Sequence, residues 1–338
     1  MNTIYLRAAL AAAAVCLPYC HSNAQSVEQF YRGKQIDIIS GSEAGSAYDS
    51  WARLFAQFMP KYLPGNPAFV VKNMPGAGHI RATNYLYAVA PRDGTTIGVI
   101  SQLMPTATVL KNKPGLVADF TRFSFLGSPD RTNQVCVSSR SAKVQSGADL
   151  FREELMVGGF GAGSGISAIP TFLRGALGMK FNLIEGYKGS QDIMLAIERG
   201  ELEGICGTYQ GVVHSRPKAF ADGSLKLLFN VERKPIPGSN APSVHEFIKD
   251  PEQTRIITFY SLNAEIGRPV IVPPETPQDR VAALRAAFKA MTADSAFLAE
   301  ATKQHLDPAP FAAAEMEDTF RRIVATPPDI IERAAKYM

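Results

Sequence analysis

The chain has 338 residues, of which 46% are hydrophobic, and its formal net charge is +4 at pH 7. A chain of this length fits one large domain or two lobes. The small excess of basic residues, without a dense basic run and interleaved aromatic residues, argues against a nucleic-acid-binding protein.

The first 24 residues have the features of an export signal. Arg7 is followed by an apolar run over 8–18, and a small-x-small sequence occupies 22–24. This arrangement is typical of a cleaved signal peptide. The apolar run is far shorter than the roughly 20 residues that span a bilayer. We therefore expect cleavage near Ala24 and a mature protein outside the cytoplasm, with an ordinary N-terminal helix or a membrane anchor as the alternatives.

Strand-like and helix-like segments alternate along the rest of the chain. The pattern predicts strands at 36–39, 69–72, 96–100, 125–127, 134–138, 155–157, 181–185 and 225–231, and helices at 50–59, 80–89, 168–177, 191–199, 277–293 and 312–325. The proline-rich polar segment 234–242 is predicted to be a loop. This alternation favours α/β lobes with mostly parallel sheets.

Four loops are rich in glycine and other small residues, namely 40–49, 75–79, 158–165 and 187–190. At least three of them lie between a predicted strand and a predicted helix. Ligands of open α/β sheets bind at the carboxyl ends of strands, and the free N–H groups of a helix start suit an anion. Two loops fall in the first third and two in the middle, which a ligand held between two lobes would explain. For any single loop, glycine serving only a tight turn remains the alternative.

Motifs of catalysis and of metal or nucleotide binding are absent from the sequence. There is no P-loop, no G-x-S-x-G elbow, no H-E-x-x-H and no C-x-x-C, and Ile166 breaks the dinucleotide fingerprint of the glycine-rich loop. We therefore predict no catalytic residue, no cofactor and no metal site. His79 lies in a candidate ligand loop, where it could contact an acid or simply be solvated. Trp51, on the first large helix, is predicted to be core.

Two cysteines, Cys136 and Cys206, remain after the predicted cleavage. In an oxidising compartment they could pair. Two buried thiols are the alternative, because free cysteine is commonly a core residue. The sequence leaves both open.

Five stretches of the mature chain carry a family resemblance. They are IDIISGSEAGSAYDSWARLFA, VVKNMPGAGHIRATNYLYAVAPRDGTTIG, VGGFGAGSG, EGYKGSQDIMLAIERGELEG and IVPPETPQDRVAALRAAF. The chain resembles the periplasmic receptors of tripartite tricarboxylate transporters, the TctC-like or Bordetella uptake gene (Bug) family. The resemblance implies a two-lobed, type II periplasmic-binding-protein-like α/β fold with the ligand cleft between the lobes. It also implies a periplasmic receptor that captures a small carboxylate and delivers it to a membrane permease. We expect a monomer, although the sequence leaves the oligomeric state open.

By position, the resemblance implies ligand contacts from all four loops. The implied residues are Ser42, Glu43, Ala44, Tyr48, Asp49, Gly76, Ala77, Gly78, His79, Gly161, Ala162, Gly163, Ser164, Tyr187, Lys188 and Gly189. Asp49 could also be a helix N-cap. The chain departs from the family pattern at Glu43, Ala47 and Tyr48, at His79 where glycine is usual, and at Gly207 where an acid is common. These departures leave the ligand's identity open.

The predicted lobe limits follow from the expected crossings of the chain. Residues 1–24 form the signal, 25–127 plus 232–338 form lobe 1, and 128–231 form lobe 2, with the C-terminal helices packing on lobe 1. Two rival functions remain at this point: a sensory receptor for a signalling partner, and an enzyme using Lys188 or Tyr187. The sequence does not separate transport from sensing, nor does it tell whether a cognate permease exists.

Overall fold

The computed structural model describes residues 25–111, 114–159, 165–187, 189–214, 216–233, 236 and 239–337. The predicted signal segment 1–24 lies outside the described residues. Within those ranges, no helix combines the length and apolar character needed to cross a bilayer.

The strands build two sheets. The strands are β1 (Gln35–Ser40), β2 (Ala68–Asn73), β3 (Thr96–Val99), β4 (Ser124–Ser128), β5 (Gln134–Ser139), β6 (Leu155–Gly158), β7 (Phe181–Ile184), β8 (Gly204–Thr208), β9 (Leu225–Asn230), β10 (Val270–Val272) and β11 (Phe311–Ala312). The first sheet has the order β11-β4-β10-β3-β1-β2, and the second has the order β7-β6-β8-β5-β9.

The helices cover the faces of both sheets. They are α1 (Val27–Tyr31), α2 (Ala47–Phe58), α3 (Ile80–Ala88), α4 (Leu103–Leu110), α5 (Gly165–Leu177), α6 (Ser190–Glu198), α7 (Pro217–Ala221), α8 (Pro251–Glu265), α9 (Gln278–Thr292), α10 (Ser295–Lys303), α11 (Ala313–Val324) and α12 (Pro328–Ala335).

Both sheets are mixed, so the prediction of mostly parallel sheets was wrong. β1 runs parallel to β2 and β3, whereas β10 runs antiparallel to β3 and β4, and β11 antiparallel to β4. In the second sheet β6 is parallel to β7 and β8, whereas β5 is antiparallel to β8 and β9. The physical reason is that β5 enters its sheet from the edge at which β8 ends, and must therefore run against it.

The inner strand β1, which lies next to the edge strand β2, is buried on both faces, as its run of isoleucines requires. Ile36 and Ile38 join one hydrophobic cluster with Trp51 and Phe55 of α2, and Ile39 joins another with Leu86 of α3. Successive side chains of a strand point to opposite faces, so this alternation holds a helix on each side of the sheet. Trp51 is fully buried, and its prediction as core is confirmed.

The chain crosses between the sheets at their carboxyl edges. β4 and β3 are both antiparallel to β10, so Ser128 ends β4 at the edge where β1 and β3 also end. β5 begins with Gln134 opposite Thr208, the last residue of β8. The return strand β9 ends with Asn230 opposite Val135. The loops that follow the parallel strands of both sheets therefore adjoin the crossing segments.

Every predicted strand and helix is present, with ends displaced by at most three residues. The long helix α8 was missed, because its second half is buried almost all round and shows no single apolar face. Its start signal, an Asp250 cap followed by proline, was available in the sequence. Tyr260 of α8 stacks on Phe172 of α5 with ring centroids 3.9 Å apart, so α8 links the two sheets.

Cys136 and Cys206 lie directly opposite one another on β5 and β8 and form a disulfide. Both are fully buried. The pairing that the sequence left open is therefore a bond inside the second sheet.

Candidate functional site

The predicted ligand loops all follow strands at the carboxyl edges. We call 41–46 loop 1, 74–79 loop 2, 159–164 loop 3 and 185–189 loop 4. Loop 1 leads from β1 into α2, and loop 2 leads from β2 into α3. Loop 3 follows β6 and precedes α5, and loop 4 leads from β7 into α6. Each loop thus ends at a helix start.

Loop 1 closes on the first turn of α2, which begins at Ala47, three residues earlier than predicted. Ser46 is the N-cap, and its side chain accepts a hydrogen bond of 3.2 Å from the N–H of Asp49. The alternative role of Asp49 as N-cap was therefore wrong. The N–H groups of Ala47 and Tyr48 belong to the first turn and have no intrahelical partner. They form a positive helix end at the carboxyl edge of the sheet, where an anion is favoured.

The buried carboxylate of Asp49 holds loop 1 in place through hydrogen bonds. Its carboxylate accepts hydrogen bonds from the N–H of Gly45 (2.8 Å), from Nε of Arg53 (2.9 Å) and from Nδ2 of Asn73 (2.9 Å). Burial alone would raise the pKa of Asp49, but these hydrogen bonds outweigh burial and hold the pKa below its ordinary value. Asn73 also donates to the carbonyl of Ser42 (3.0 Å). Asp49 is thus an ionised group whose bonds fasten loop 1 to the end of β2.

Loop 2 contains four successive residues in left-handed backbone conformations. The φ angles are 143° at Gly76, 46° at Ala77, 60° at Gly78 and 77° at His79. Left-handed conformations cost non-glycine residues roughly 1–2 kcal/mol each. Such strain collects at functional sites, where the surrounding structure holds it in place.

His79 is buried against loop 1. Its Nε2 lies 2.9 Å from Oγ of Ser42, and its ring meets the ring of Tyr48 edge-to-face with centroids 4.5 Å apart. Burial, and then the charge of Arg268, lower the pKa of His79 to about 4, so the ring is neutral at pH 7. A Cβ at Gly41 would lie 2.1 Å from Nδ1 of His79, so the ring occupies space that only glycine leaves free.

The remaining predicted residues of the first two loops are open to solvent. Glu43, Ala44, Gly76, Ala77 and Gly78 are exposed.

Arg268 is a residue of this region that sequence reasoning missed. It precedes β10, and its guanidinium carbon lies 5.0 Å from the ring centroid of Tyr48. Its Nη1 donates to the carboxylate of Asp130 at 2.5 Å, and Trp51 donates to the same carboxylate at 3.2 Å. Burial raises the pKa of Asp130, and the Arg268 charge opposes that rise. No local sequence signal joins Arg268 to Asp130, because 138 residues separate them.

Loops 3 and 4 start side by side at the second sheet. The N–H of Tyr187 donates to the carbonyl of Gly159 (3.2 Å), and the N–H of Gly159 donates to Ile184 (2.9 Å). Gly189 is the N-cap of α6. Five predicted residues lie outside the described residues, namely Gly161, Ala162, Gly163, Ser164 and Lys188.

Two surface cavities among the described residues, of about 500 and 390 Å³, contain none of the predicted ligand residues. The larger lies between α9 and α11, and the smaller lies beside β9 and α6. Among the described residues, no group of three or more His, Cys, Asp or Glu side chains is arranged to hold a metal ion.

Comparison with known proteins establishes the architecture. No family model matches the chain, and no curated protein does. Among solved structures, a TctC solute-binding protein from Polaromonas without ligand shares 21% identity and a TM-score of 0.67, over 88% of this chain and 98% of that chain. Rpa4515 of R. palustris with adipate shares 20% identity and a TM-score of 0.62, over 89% and 97%. MatC from Rhodopseudomonas palustris with bound malate shares 19% identity and a TM-score of 0.62, over 88% and 99%.

The chain has the two-lobed periplasmic-binding-protein fold. The predicted fold class is therefore confirmed. Ligands of open α/β sheets bind at the carboxyl ends of strands, so the carboxyl edges with loops 1 to 4 are the candidate site.

Proposed function

We propose that the protein is an exported solute-binding receptor. It captures a small carboxylate-type solute between lobe 1 (25–127 plus 232–338) and lobe 2 (128–231), and delivers it to the permease of a tripartite tricarboxylate-type transporter. The mature chain begins after Ala24 and works as a periplasmic monomer without a cofactor.

One observation carries the proposal. The N–H groups of Ala47 and Tyr48, in the first turn of α2 beside the left-handed loop 2, have no hydrogen-bond partner among the described residues. Solved structures with the same fold hold adipate and malate. An anion at a helix N-terminus is stabilised by both the free donors and the helix dipole. Carboxylate oxygens accept charge-assisted hydrogen bonds from such N–H groups.

The proposed ligand contacts are the residues that the resemblance implies in the four loops, including those of loops 3 and 4 outside the described residues. Asp49 acts through its hydrogen bonds to loop 1, because all its described contacts are to the protein itself. Backbone donors on lobe 2 would complete the grip when the lobes close by a hinge at the crossing segments.

Transport and sensing share this capture step. The resemblance to transporter receptors favours delivery to a permease. Capture needs no bond-making residue, so the proposal includes no catalytic step.

The first test is thermal unfolding of the refolded, ligand-stripped mature protein with a panel of mono-, di- and tricarboxylates that includes malate and adipate. A ligand at a hundredfold its Kd adds about 2.7 kcal/mol of stability. We expect one acid class to raise the Tm clearly, whereas the corresponding neutral amides leave it unchanged. A flat response to every acid from a folded protein would refute the carboxylate receptor.

The backbone donors are tested with Ala47→Pro. Proline is tolerated at the first position of a helix and removes one N–H, and the extended backbone of Ser46 suits a residue that precedes proline. We expect affinity for the bound acid to fall about 10- to 100-fold. Ser295→Pro is the matched control, since Ser295 is the exposed first residue of α10 after the extended Asp294. Equal affinities of the two variants would exclude the α2 N–H from the site.

A further inference from the structure

Arg268 stands at the edge where the proposed ligand binds. The chain enters β10 two residues later, and Val270 pairs with Val99, the last residue of β3. The N–H of Arg268 donates to Oγ of Ser128, the last residue of β4 (2.8 Å). The backbone of Arg268 is therefore anchored at the carboxyl edge of the first sheet, beside the segment that crosses to the second.

The guanidinium of Arg268 is buried, but only some of its hydrogen-bond donors have a partner. Its side chain is 14% exposed, and Nη1 binds Asp130. Nε is buried without a hydrogen-bond partner, and no described residue accepts a hydrogen bond from Nη2. Nε and Nη2 form one edge of the planar guanidinium, which matches the two oxygens of a carboxylate.

A purely structural arginine of this chain looks different. Arg140 donates from Nε to the carbonyl of Gly223 (3.1 Å) and from Nη2 to the carbonyl of Asp222 (2.5 Å). The edge that Arg268 leaves unpaired is therefore fully used in Arg140. Burying a charge with unpaired donors is costly, so an unfilled buried edge is a candidate binding position where it also lies beside the ligand loops.

Arg280 repeats the local pattern of Arg268 at a different place. It donates through Nη1 to the carbonyl of Asp93 (2.7 Å), its Nε is unpartnered, and it lies 3.5 Å from the ring centroid of Phe30. It sits near Gly94, before β3 begins, which is the opposite edge of the sheet. Arg280 therefore supplies a control with the same chemistry away from the loops.

The surroundings of Arg268 select for a carboxylate. Tyr48 holds the flat face of the guanidinium, and Asp130 compensates its charge without filling the Nε–Nη2 edge. His79, which also feels the Arg268 charge, is neutral and adds no second positive charge beside Arg268. Asp49 is already paired with Arg53.

We propose that Arg268 binds a carboxylate of the ligand directly through its Nε–Nη2 edge, and so adds a charged, specificity-determining side chain to the backbone donors of loops 1 and 2. This inference rests on the proposed function. The carboxylate accepts hydrogen bonds from Nη2 and Nε together. The guanidinium then bridges Asp130 and the ligand.

Isothermal titration with malate and adipate tests the role of Arg268. Arg268→Lys keeps the charge that faces Asp130 but loses the fork, and we expect about tenfold weaker binding. The double variant Asp130→Asn/Arg268→Met removes both charges without stranding either, and we expect about 100-fold weaker binding. Arg280→Lys is expected to bind as the wild type does. The Tm of each ligand-free variant verifies folding.

The outcomes separate the two proposals. If the wild type binds either acid and Arg268→Lys binds it as tightly as Arg280→Lys, then Arg268 takes no part, although the receptor function stands. If the folded wild type binds neither acid nor any other carboxylate, the receptor proposal fails and this inference fails with it. Selective weakening at Arg268 supports the inference.

Discussion

The carboxylate of Asp49 accepts a hydrogen bond of 2.9 Å from the side-chain amide of Asn73, and this bond ties the start of α2 to the end of β2. The Asp49 carboxylate, which loop 1 encloses, therefore holds the loop in its conformation. The arrangement places the first-turn N–H groups of α2 beside the left-handed loop 2. A change of the Asp49 carboxylate should therefore destabilise loop 1 and the start of α2.

Asp49→Asn is expected to lower the free energy of unfolding by about 2 kcal/mol, because an amide N–H2 would face donors that now meet an oxygen. The pKa of Asp49 is lowered by folding, so its contribution is present above the unfolded pKa and lost as pH falls through the folded value. Urea unfolding at pH 7 and pH 3 measures both effects. The control Asp318→Asn, in an exposed pair with Arg321, should stay within about 0.5 kcal/mol of the wild type. Equal losses in the two variants would contradict the role of Asp49.

His79 predicts a loss of stability in weak acid. Its folded pKa of about 4 lies below the ordinary 6.5, so between these values the unfolded chain takes up a proton that the folded protein refuses. The free energy of unfolding of the wild type should therefore fall by about 3 kcal/mol as pH falls from 6.5 to 4, and His79 should cause no such fall above pH 6.5. His79→Asn, which tolerates a left-handed backbone, should lack that slope.

The matched control for His79 is His305→Asn. His305 is also left-handed, with φ of 59°, but it is exposed. Its unfolding free energy should follow the wild type from pH 4 to 8 within about 0.5 kcal/mol. If His79→Asn kept the wild-type slope, the buried neutral ring would not be its source.

Ala77 predicts a stabilising substitution in loop 2. It is exposed, with φ of 46°, so Ala77→Gly removes backbone strain without removing packing. We expect unfolding free energy to rise by about 1 kcal/mol, which is the strain relieved less the added entropy of the unfolded chain. Ala44→Gly, exposed in loop 1 without a positive φ, should instead destabilise by roughly 0.5–1 kcal/mol. Urea unfolding would argue against strain if both substitutions moved stability the same way.

The raised pKa of Glu232 predicts a loss of stability as pH rises from about 4.5 to about 8. Burial raises the pKa of Glu232 to about 8, although the N–H of Gln134 donates to its carboxylate. The protonated Glu232 carboxyl stabilises the folded protein fully below the pKa of the unfolded chain, and this stabilisation is lost as pH rises through the folded pKa of about 8. Glu232→Gln does not ionise, so at pH 9 it should be at least about 2 kcal/mol more stable than the wild type. The exposed Glu201→Gln should show no such gain, and a gain of equal size there would reject the assignment.

The disulfide predicts a large contribution to stability from the second sheet. Cys136 and Cys206 are separated by 70 residues, and replacing both with alanine should cost roughly 4 kcal/mol. Thiol titration of the denatured, unreduced mature protein should detect no free thiol, and reduction should release two. Free thiols before reduction would show that the bond is not formed in the purified protein.

Most strands and helices could be predicted from the sequence because their signals lie in neighbouring residues. Ile36, Ile38 and Ile39 mark a strand buried on both faces, and the small residues that follow mark a turn into a helix start. The buried helix α8 escaped because its burial comes from packing on both sheets. The direction of β5 depends on where the chain crosses from the first sheet to the second. The residues of β5 carry no signal of that direction.

The sequence alone predicts the order of the main strands and helices, the four glycine-rich loops and the resemblance that implies a two-lobed receptor. The three-dimensional structure was needed to show that Ser46 caps α2 while loop 1 encloses Asp49, that His79 contacts Ser42 and Tyr48, and that Cys136 bonds Cys206. It also brought Arg268 to Tyr48 across more than two hundred residues of chain. The physical reason is that propensity and patterning act between near neighbours, whereas burial, pKa and the partners of a charge depend on residues that only folding brings together.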